Sequence, residues 1–488
     1  MGLRAKILSG VSWSAVARIS KTAGNLVVTV ILMRLLTPEA YGLIAMALVV
    51  IGFANTFKKF GLGSALIQRK NITELQSSSV FWVNILVGLL LFAITTAIAP
   101  YAVTFFNAQS TLKRVIQILS FVFIISAVGI VPRAFLKKQM RFKALAKIKV
   151  VSVGISGPVA VVSAATGWGV WSLVFKNIIN SVAETILLWR YSSWRPQLRV
   201  SISKVKSLLL YGANFTGFKI VNRIHRAGDD FLIGKFMSSA SLGIYSQAYK
   251  IMMIPIGKGI GLITDVLFPA LSRVQKNKAR TKSIYLKAVR LISFLAFPAM
   301  FGLFSTANNF VHTLFGDQWG GMIPVLRAFC LAGAFQALVK PTGTIYESQG
   351  RADWLFRWGF VASVILIGFI GIGVWVGTVE AIAYSYVVAN AITFYPSLLI
   401  PGWLIGMSVE EVLRSVSGNL LAACIMAGGV FILGQVLPEF WSVLSVLGTQ
   451  VVTGVGLYWS FAYLFELSAY DELSGIVGDG LETISNVR

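Results

Sequence analysis

Tyr211–Tyr245 reads YGANFTGFKIVNRIHRAGDDFLIGKFMSSASLGIY, and the fold follows from how this stretch is placed. Its length and flanks predict a membrane-spanning helix, yet its middle carries Lys219, Arg223, His225, Arg226, Asp229 and Asp230. At 3.6 residues per turn, Asn222/Arg223, Arg226 and Asp230 follow Lys219 at steps of three or four, so they share one face. That face is unsuited to lipid. An ionised side chain at bilayer depth costs roughly 2.5–3.5 kcal/mol even on the gentlest insertion scale, and such residues turn toward a bundle interior or a wet cavity. The stretch therefore predicts a hydrated, cationic pathway.

The surrounding chain supports a membrane reading. Its 488 residues are 56% hydrophobic and 12% charged, with a mean hydropathy of +0.77, well above a soluble globular protein. Apolar segments long enough to cross about 30 Å fall near residues 11–36, 40–60, 79–105, 112–131, 145–165, 169–190, 207–233, 241–270, 288–307, 322–339, 354–376, 380–402, 414–436 and 441–465. The MGLRAKILSG opening, followed by a run that Arg18 and Lys21 interrupt, reads as the cytoplasmic flank of a retained first helix, not a cleaved leader.

The net charge of +25 would suggest a nucleic-acid partner in a soluble protein. Here about thirty of the 43 lysines and arginines fall in every second connection, as the positive-inside rule requires of cytoplasmic loops. The alternate connections Thr37–Ala40, Thr166–Gly169, Thr306–Gly321, Gly377–Glu380 and Gly434–Glu439 hold none, and Lys113 and Arg114 are the main exception. No nucleic acid is needed to explain the charge. The pattern predicts an all-α, polytopic membrane protein of about fourteen helices with both termini cytoplasmic.

A repeat at an offset of 201 residues sharpens the organisation. LMRLLTPEAYGLI (Leu32–Ile44) aligns without gaps on IGKFMSSASLGIY (Ile233–Tyr245), matching Arg34 with Lys235, Gly42 with Gly243 and, in the same register, Arg18 with Lys219. Two pseudo-symmetric six-helix lobes follow, at residues 1–200 and 201–403. Residues 404–467 form two peripheral helices, and the tail from Ser468, with Asp471, Glu472, Asp479 and Glu482, reads as a solvated acidic end.

The charges left inside spans are the candidates for function. Ser14, Arg18, Lys21 and Asn25 form one stripe on the first helix, although Arg18 and Lys21 lie near enough to the interface to snorkel. On the seventh, Arg226 precedes Asp230 by four and His225 precedes Asp229 by four, spacings that allow internal pairing, but Lys219 and Arg223 have no acid one turn away. The eighth helix adds Lys250, Lys258 and Asp265 at intervals of eight and seven, roughly on one face. On the sixth, Lys176 and Glu184 suit a structural pair as well as a functional role.

Other chemistries find no support. The chain contains no GxxxxGK[ST] loop, no HExxH and no serine nucleophile elbow. Its two cysteines, Cys330 and Cys424, lie in apolar segments without metal or redox spacing, and two distant histidines make no metal centre. No cofactor is expected. An enzyme building or polymerising glycan would need an exposed catalytic surface, which the short outer loops do not provide.

The opening GVSWSAVARISKTAGNLV, the RLLTPEAYGLIAMA turn and NRIHRAGDDFLIGKFMSSASLGIYSQAY resemble the Wzx-type polysaccharide flippases of the multidrug/oligosaccharidyl-lipid/polysaccharide exporter superfamily. The resemblance covers essentially the whole chain and is nearest to the exopolysaccharide exporters of colanic-acid or succinoglycan type. It implies two six-helix lobes around a central cavity, alternating access, and transfer of a polyprenyl-pyrophosphate-linked oligosaccharide from the inner to the outer leaflet of a bacterial inner membrane. A polysaccharide polymerase or co-polymerase is an implied partner, and a monomer is adequate. Fixed cations in a wet cavity would solvate a pyrophosphate that lipid cannot. On this reading Arg18, Lys21, Lys219, Arg223 and Arg226 bind the headgroup, with Lys250 and Lys258 behind them. Asp229, Asp230, Asp265 and Glu184 are candidates for gating or ion coupling. The alternative, an ion-coupled exporter of drugs or organic cations from the same superfamily, would put carboxylates where this chain puts cations.

Overall fold

The computed structural model describes residue 20 and residues 22–58, 66–67, 73–199, 201, 228–438 and 440–474. Among them there is helix and loop but no strand. In chain order the helices are α1 (Thr22–Leu35), α2 (Pro38–Lys58), α3 (Glu74–Phe106), α4 (Thr111–Val128), α5 (Ile130–Lys138), α6 (Phe142–Ala165), α7 (Val170–Tyr191) and α8 (228–236). There follow α9 (Ser239–Ile254), a π-helical turn at Pro255–Gly259, α10 (Ile260–Arg273), α11 (Lys278–Leu314), α12 (Met322–Val339) and α13 (Thr342–Ser348). The last are α14 (Ala352–Val376), α15 (Val379–Ile405), α16 (Val409–Val436), α17 (Val443–Leu464) and α18 (468–474).

Ten helices among the described residues are long and apolar enough to cross a membrane. Every one of the fourteen expected spans contains helix, but the expected first, sixth, seventh and eighth are not among those ten. The ninth was expected at 288–307 and is far longer. Its 37 residues in α11 reach about 56 Å at 1.5 Å per residue, well past a 30 Å hydrocarbon layer, and the excess at the start is the basic run KARTKSIYLKAVR. The exterior is apolar as bilayer contact demands: Leu90, Ile186, Trp375 and Val452 are more than half exposed.

Local signals fix the helix ends. Thr73 and Gln76 form a reciprocal capping box at the start of α3, and Ser408 and Glu411 do the same for α16. Gly377, with φ of 85°, closes α14, and Gly373 on its last turn lets the start of α15 come within touching distance: a Cβ there would lie 2.6 Å from the Ile382 Cα.

The chain separates into two compact units, Met1–Gly243 and Ile244–Arg488. In the first, α3 lies on α4 where Gly88 faces Ala127 and the Phe123 carbonyl, and the Thr96 and Ser120 hydroxyls meet at 3.1 Å. The Thr185 hydroxyl and Trp189 indole of α7 donate to the Ile125 and Val128 carbonyls of α4. In the second, α11 packs on α16 and α17 through Phe294, Phe297, Val416, Met426 and Tyr458. Polar side chains join these helices, as they do where lipid removes the hydrophobic drive: Asn419 donates to the Arg290 carbonyl and Ser293, Ser305 to the Ala427 carbonyl, and Asn309 to Gln450.

The tail departs from expectation in its first turn. Residues 468–474 are helical, Ala469 is buried, and Glu472 accepts from Arg290 at 3.2 Å with its side chain only 17% exposed. A basic residue on α11 therefore holds an acid that the sequence alone assigned to solvent.

Candidate functional site

Five of the expected headgroup ligands, Arg18, Lys21, Lys219, Arg223 and Arg226, lie outside the described residues. What the structure describes is the end of the charged stretch and the helix that follows it. Asp229 and Asp230 begin α8, both half-buried, and the Asp229 carboxylate accepts from the Asp230 amide at 2.9 Å. Apolar residues then take over. Phe231 lies against Phe105 and Phe106 at ring separations of 4.7 and 6.1 Å, Ile233 is fully buried, and Gly234 faces the Phe106 ring. The Lys235 ammonium rests 4.8 Å from the Phe105 ring centre, a cation on an aromatic face. These contacts fasten the far end of the charged stretch to the last turn of α3.

Ser238 accepts from the Ser241 amide at 3.1 Å and so starts α9. Within the first unit, α9 then crosses α2 with no room for a side chain. A Cβ on Gly42 would collide with the Ser239 carbonyl, and one on Gly243 with the Pro38 carbonyl. Pro38 and Ser239 are themselves equivalent at the 201-residue offset, so the contact is reciprocal, as a local two-fold axis would make it.

Further along α9, Tyr245, Gln247, Ala248 and Met252 are buried while Lys250 is exposed. Lys258 sits in the π-helical turn, whose Ile256 carbonyl accepts from the Lys340 ammonium at 3.3 Å. The turn interrupts the 3.6-residue phase, so spacing alone does not carry one face from Lys250 through Lys258 to Asp265, which is exposed on α10. Glu184 is not left for Lys176. It pairs with Arg133 of α5 at 2.9 Å, tying two helices of the first unit together.

Sequence reasoning passed over a polar and aromatic cluster in the second unit. Gln336 on α12 donates to the Tyr386 hydroxyl at 2.6 Å and to Asn390 at 3.3 Å, and Tyr245, Tyr249, Phe329 and Tyr386 form an aromatic cluster beside it. The i, i+4 spacings Gln336/Lys340 and Tyr386/Asn390 were the available signal. Arg327, inside α12, lies over the Phe304 ring at 6.0 Å.

The family described as polysaccharide biosynthesis protein matches residues 31–324. Among known proteins, the chain is 26% identical to the teichuronic acid biosynthesis protein TuaB of Bacillus subtilis over 95% of both chains. It is 28% identical to the lipopolysaccharide biosynthesis protein WzxC of Escherichia coli over 76% of both, and 26% identical to the succinoglycan biosynthesis transport protein ExoT of Rhizobium meliloti over 79% of this chain and 78% of that one. Its fold is similar to that of the lipid II flippase MurJ in an inward closed conformation, with a TM-score of 0.75 at 15% identity, covering 95% of this chain and 99% of that one. An inward-facing MATE-family multidrug transporter follows with a TM-score of 0.55 at 15% identity, covering 79% of this chain and 94% of that one.

Proposed function

Because the chain belongs to the polysaccharide biosynthesis protein family, we propose that it flips a polyprenyl-pyrophosphate-linked oligosaccharide across a bacterial inner membrane, supplying surface-polysaccharide synthesis. The observation that carries the reading is the near-complete alignment with a teichuronic acid biosynthesis protein, supported by partial alignments with a succinoglycan transport protein and WzxC. The fold, shared with a lipid II flippase, accommodates that task.

The mechanism follows from charge. A pyrophosphate must shed water to cross a hydrocarbon layer, and lipid offers nothing in exchange. Arg18, Lys21, Lys219, Arg223 and Arg226 are proposed to replace that hydration, with Lys250 and Lys258 secondary. Asp229, Asp230, Asp265 and Glu184 are the acidic candidates for gating or ion coupling, and the Arg133 partner of Glu184 gives that carboxylate a packing role as well. Relocation breaks no covalent bond, so no catalytic residue or cofactor is assigned. Lobes at residues 1–200 and 201–403, peripheral helices in 404–467 and a tail at 468–488 remain the proposed division. Both termini are placed in the cytoplasm, a monomer suffices, and a polymerase or co-polymerase is the proposed consumer of the product.

In cells of the source organism lacking this chain, lipid-linked oligosaccharide is expected to accumulate on the cytoplasmic face, with restored polymer when the chain is supplied. An unchanged distribution of that lipid between leaflets would contradict the proposal.

A further inference from the structure

A long apolar groove in the first unit runs between α2 and α3, with a cavity volume of about 650 Å³. Val49 and Phe53 form one wall, Leu90, Ile94 and Ile98 the other, and Phe231 of α8 closes one end. Among the described residues that line it, only Thr95 and Tyr101 are polar. From Val87 to Phe106 the α3 wall extends about 28 Å at 1.5 Å per residue, close to the thickness of a bilayer's hydrocarbon layer.

Volume selects the occupant. A partner helix of that length, about 10 Å across, fills roughly 2,200 Å³. This is several times the space present. A single hydrocarbon chain, about 5 Å across from its van der Waals radius, fills roughly 500 Å³ over the same length. The groove takes one such chain; a two-chain phospholipid would have to leave one of its chains outside.

Charge selects the headgroup. At the Phe231 end the three rings of Phe105, Phe106 and Phe231 form a knot, and the Lys235 ammonium is held on the Phe105 ring. The turn after Phe106 leads directly into the first turn of α4, where Lys113 and Arg114 are exposed. These two are the main exception to the positive-inside pattern among the connections. An apolar slot with cations at one end matches a single-chain lipid with an anionic head.

We propose that this groove holds the hydrocarbon chain of a polyprenyl phosphate lipid, with its phosphate end at Lys235, Lys113 and Arg114. The proposal rests on the flippase reading and adds a lipid-tail site to it. In the orientation proposed above the cationic end faces the outer leaflet, so the site receives the carrier chain after its headgroup has crossed.

The test uses the full-length protein in phosphatidylcholine nanodiscs and a polyprenyl monophosphate with a diazirine near its far end, adducts being mapped by peptide mass spectrometry. Adducts are expected on Pro38–Lys58 and Glu74–Phe106. Ile94→Trp, which fills the slot, should lower them about tenfold; Lys235→Glu should do so for the phosphate probe and leave a matched polyprenol probe unchanged, about the effect of one charge-assisted contact. Labelling spread over other helices, insensitivity to both variants, or equal displacement by phosphatidylglycerol would overturn the site, the last making it a general phospholipid contact. Groove labelling without transport in a flipping assay would count against the flippase reading alone; transport without groove labelling would count against the groove alone.

Discussion

Gly42 and Gly243 occupy the same place in the two copies of the repeat, and each meets the backbone that opens the other's helix. A methyl group at either has nowhere to go, because what it strikes is a carbonyl and not the end of a flexible side chain. Gly42→Ala or Gly243→Ala is therefore expected to destabilise the protein by about 1–3 kcal/mol, the usual cost of overpacking. Gly371→Ala on α14 is the control: its Cβ enters open space, and it should be neutral or stabilising by up to about 1 kcal/mol. Thermal unfolding in detergent distinguishes the two cases, and equal behaviour of all three variants would remove the reciprocal contact from the account. The glycines were visible in the sequence as aligned positions, but their reason was not. Alignment of two identical residues says nothing of what each one touches.

At the scale of the helix, hydropathy placed most of the described segments within a few residues, because their length is set by the bilayer. It failed where something other than the bilayer decides. The extent of α11 comes from packing and polar contacts beyond the apolar run, and the turn at 468–474 is held by Arg290, a partner far away in sequence. The site was less legible than the fold. Glu184 sits two turns from Lys176 on its own helix, and only the packing of α5 on α7 shows that Arg133 takes it. The connection after α7 is a further case. Trp82 donates to the Gln197 carbonyl, and the amides of Gln197 and Ser201 donate to the hydroxyls of Ser78 and Ser79, each at 2.8 Å. These bonds strap the linker to the first turns of α3. Replacing both Ser78 and Ser79 with Ala should cost about 0.5–1.5 kcal/mol per hydrogen bond lost. Trypsin cleavage at Arg199 should rise at least about fivefold, the population change that accompanies the two losses together. An unchanged cleavage rate would mean that the strap does not restrain the linker.

For the whole molecule, orientation and transport are the two properties that matter. In a Cys424→Ser background, Gln318→Cys should react with a membrane-impermeant maleimide in intact cells and Lys276→Cys only after permeabilisation. The reverse pattern would invert the proposed topology and place the cationic end of the α2–α3 groove in the inner leaflet. The central claim is that fixed cations on the charged stretch carry an anionic headgroup across. It is tested most directly in proteoliposomes containing a polyprenyl pyrophosphate with a fluorescent sugar, by following loss of fluorescence to an external quencher. The native protein should move the probe to the outer leaflet, and Lys219→Gln with Arg223→Gln should slow it by about a hundredfold, the loss of two charge-assisted contacts. Equal rates from a properly inserted double variant would contradict the account.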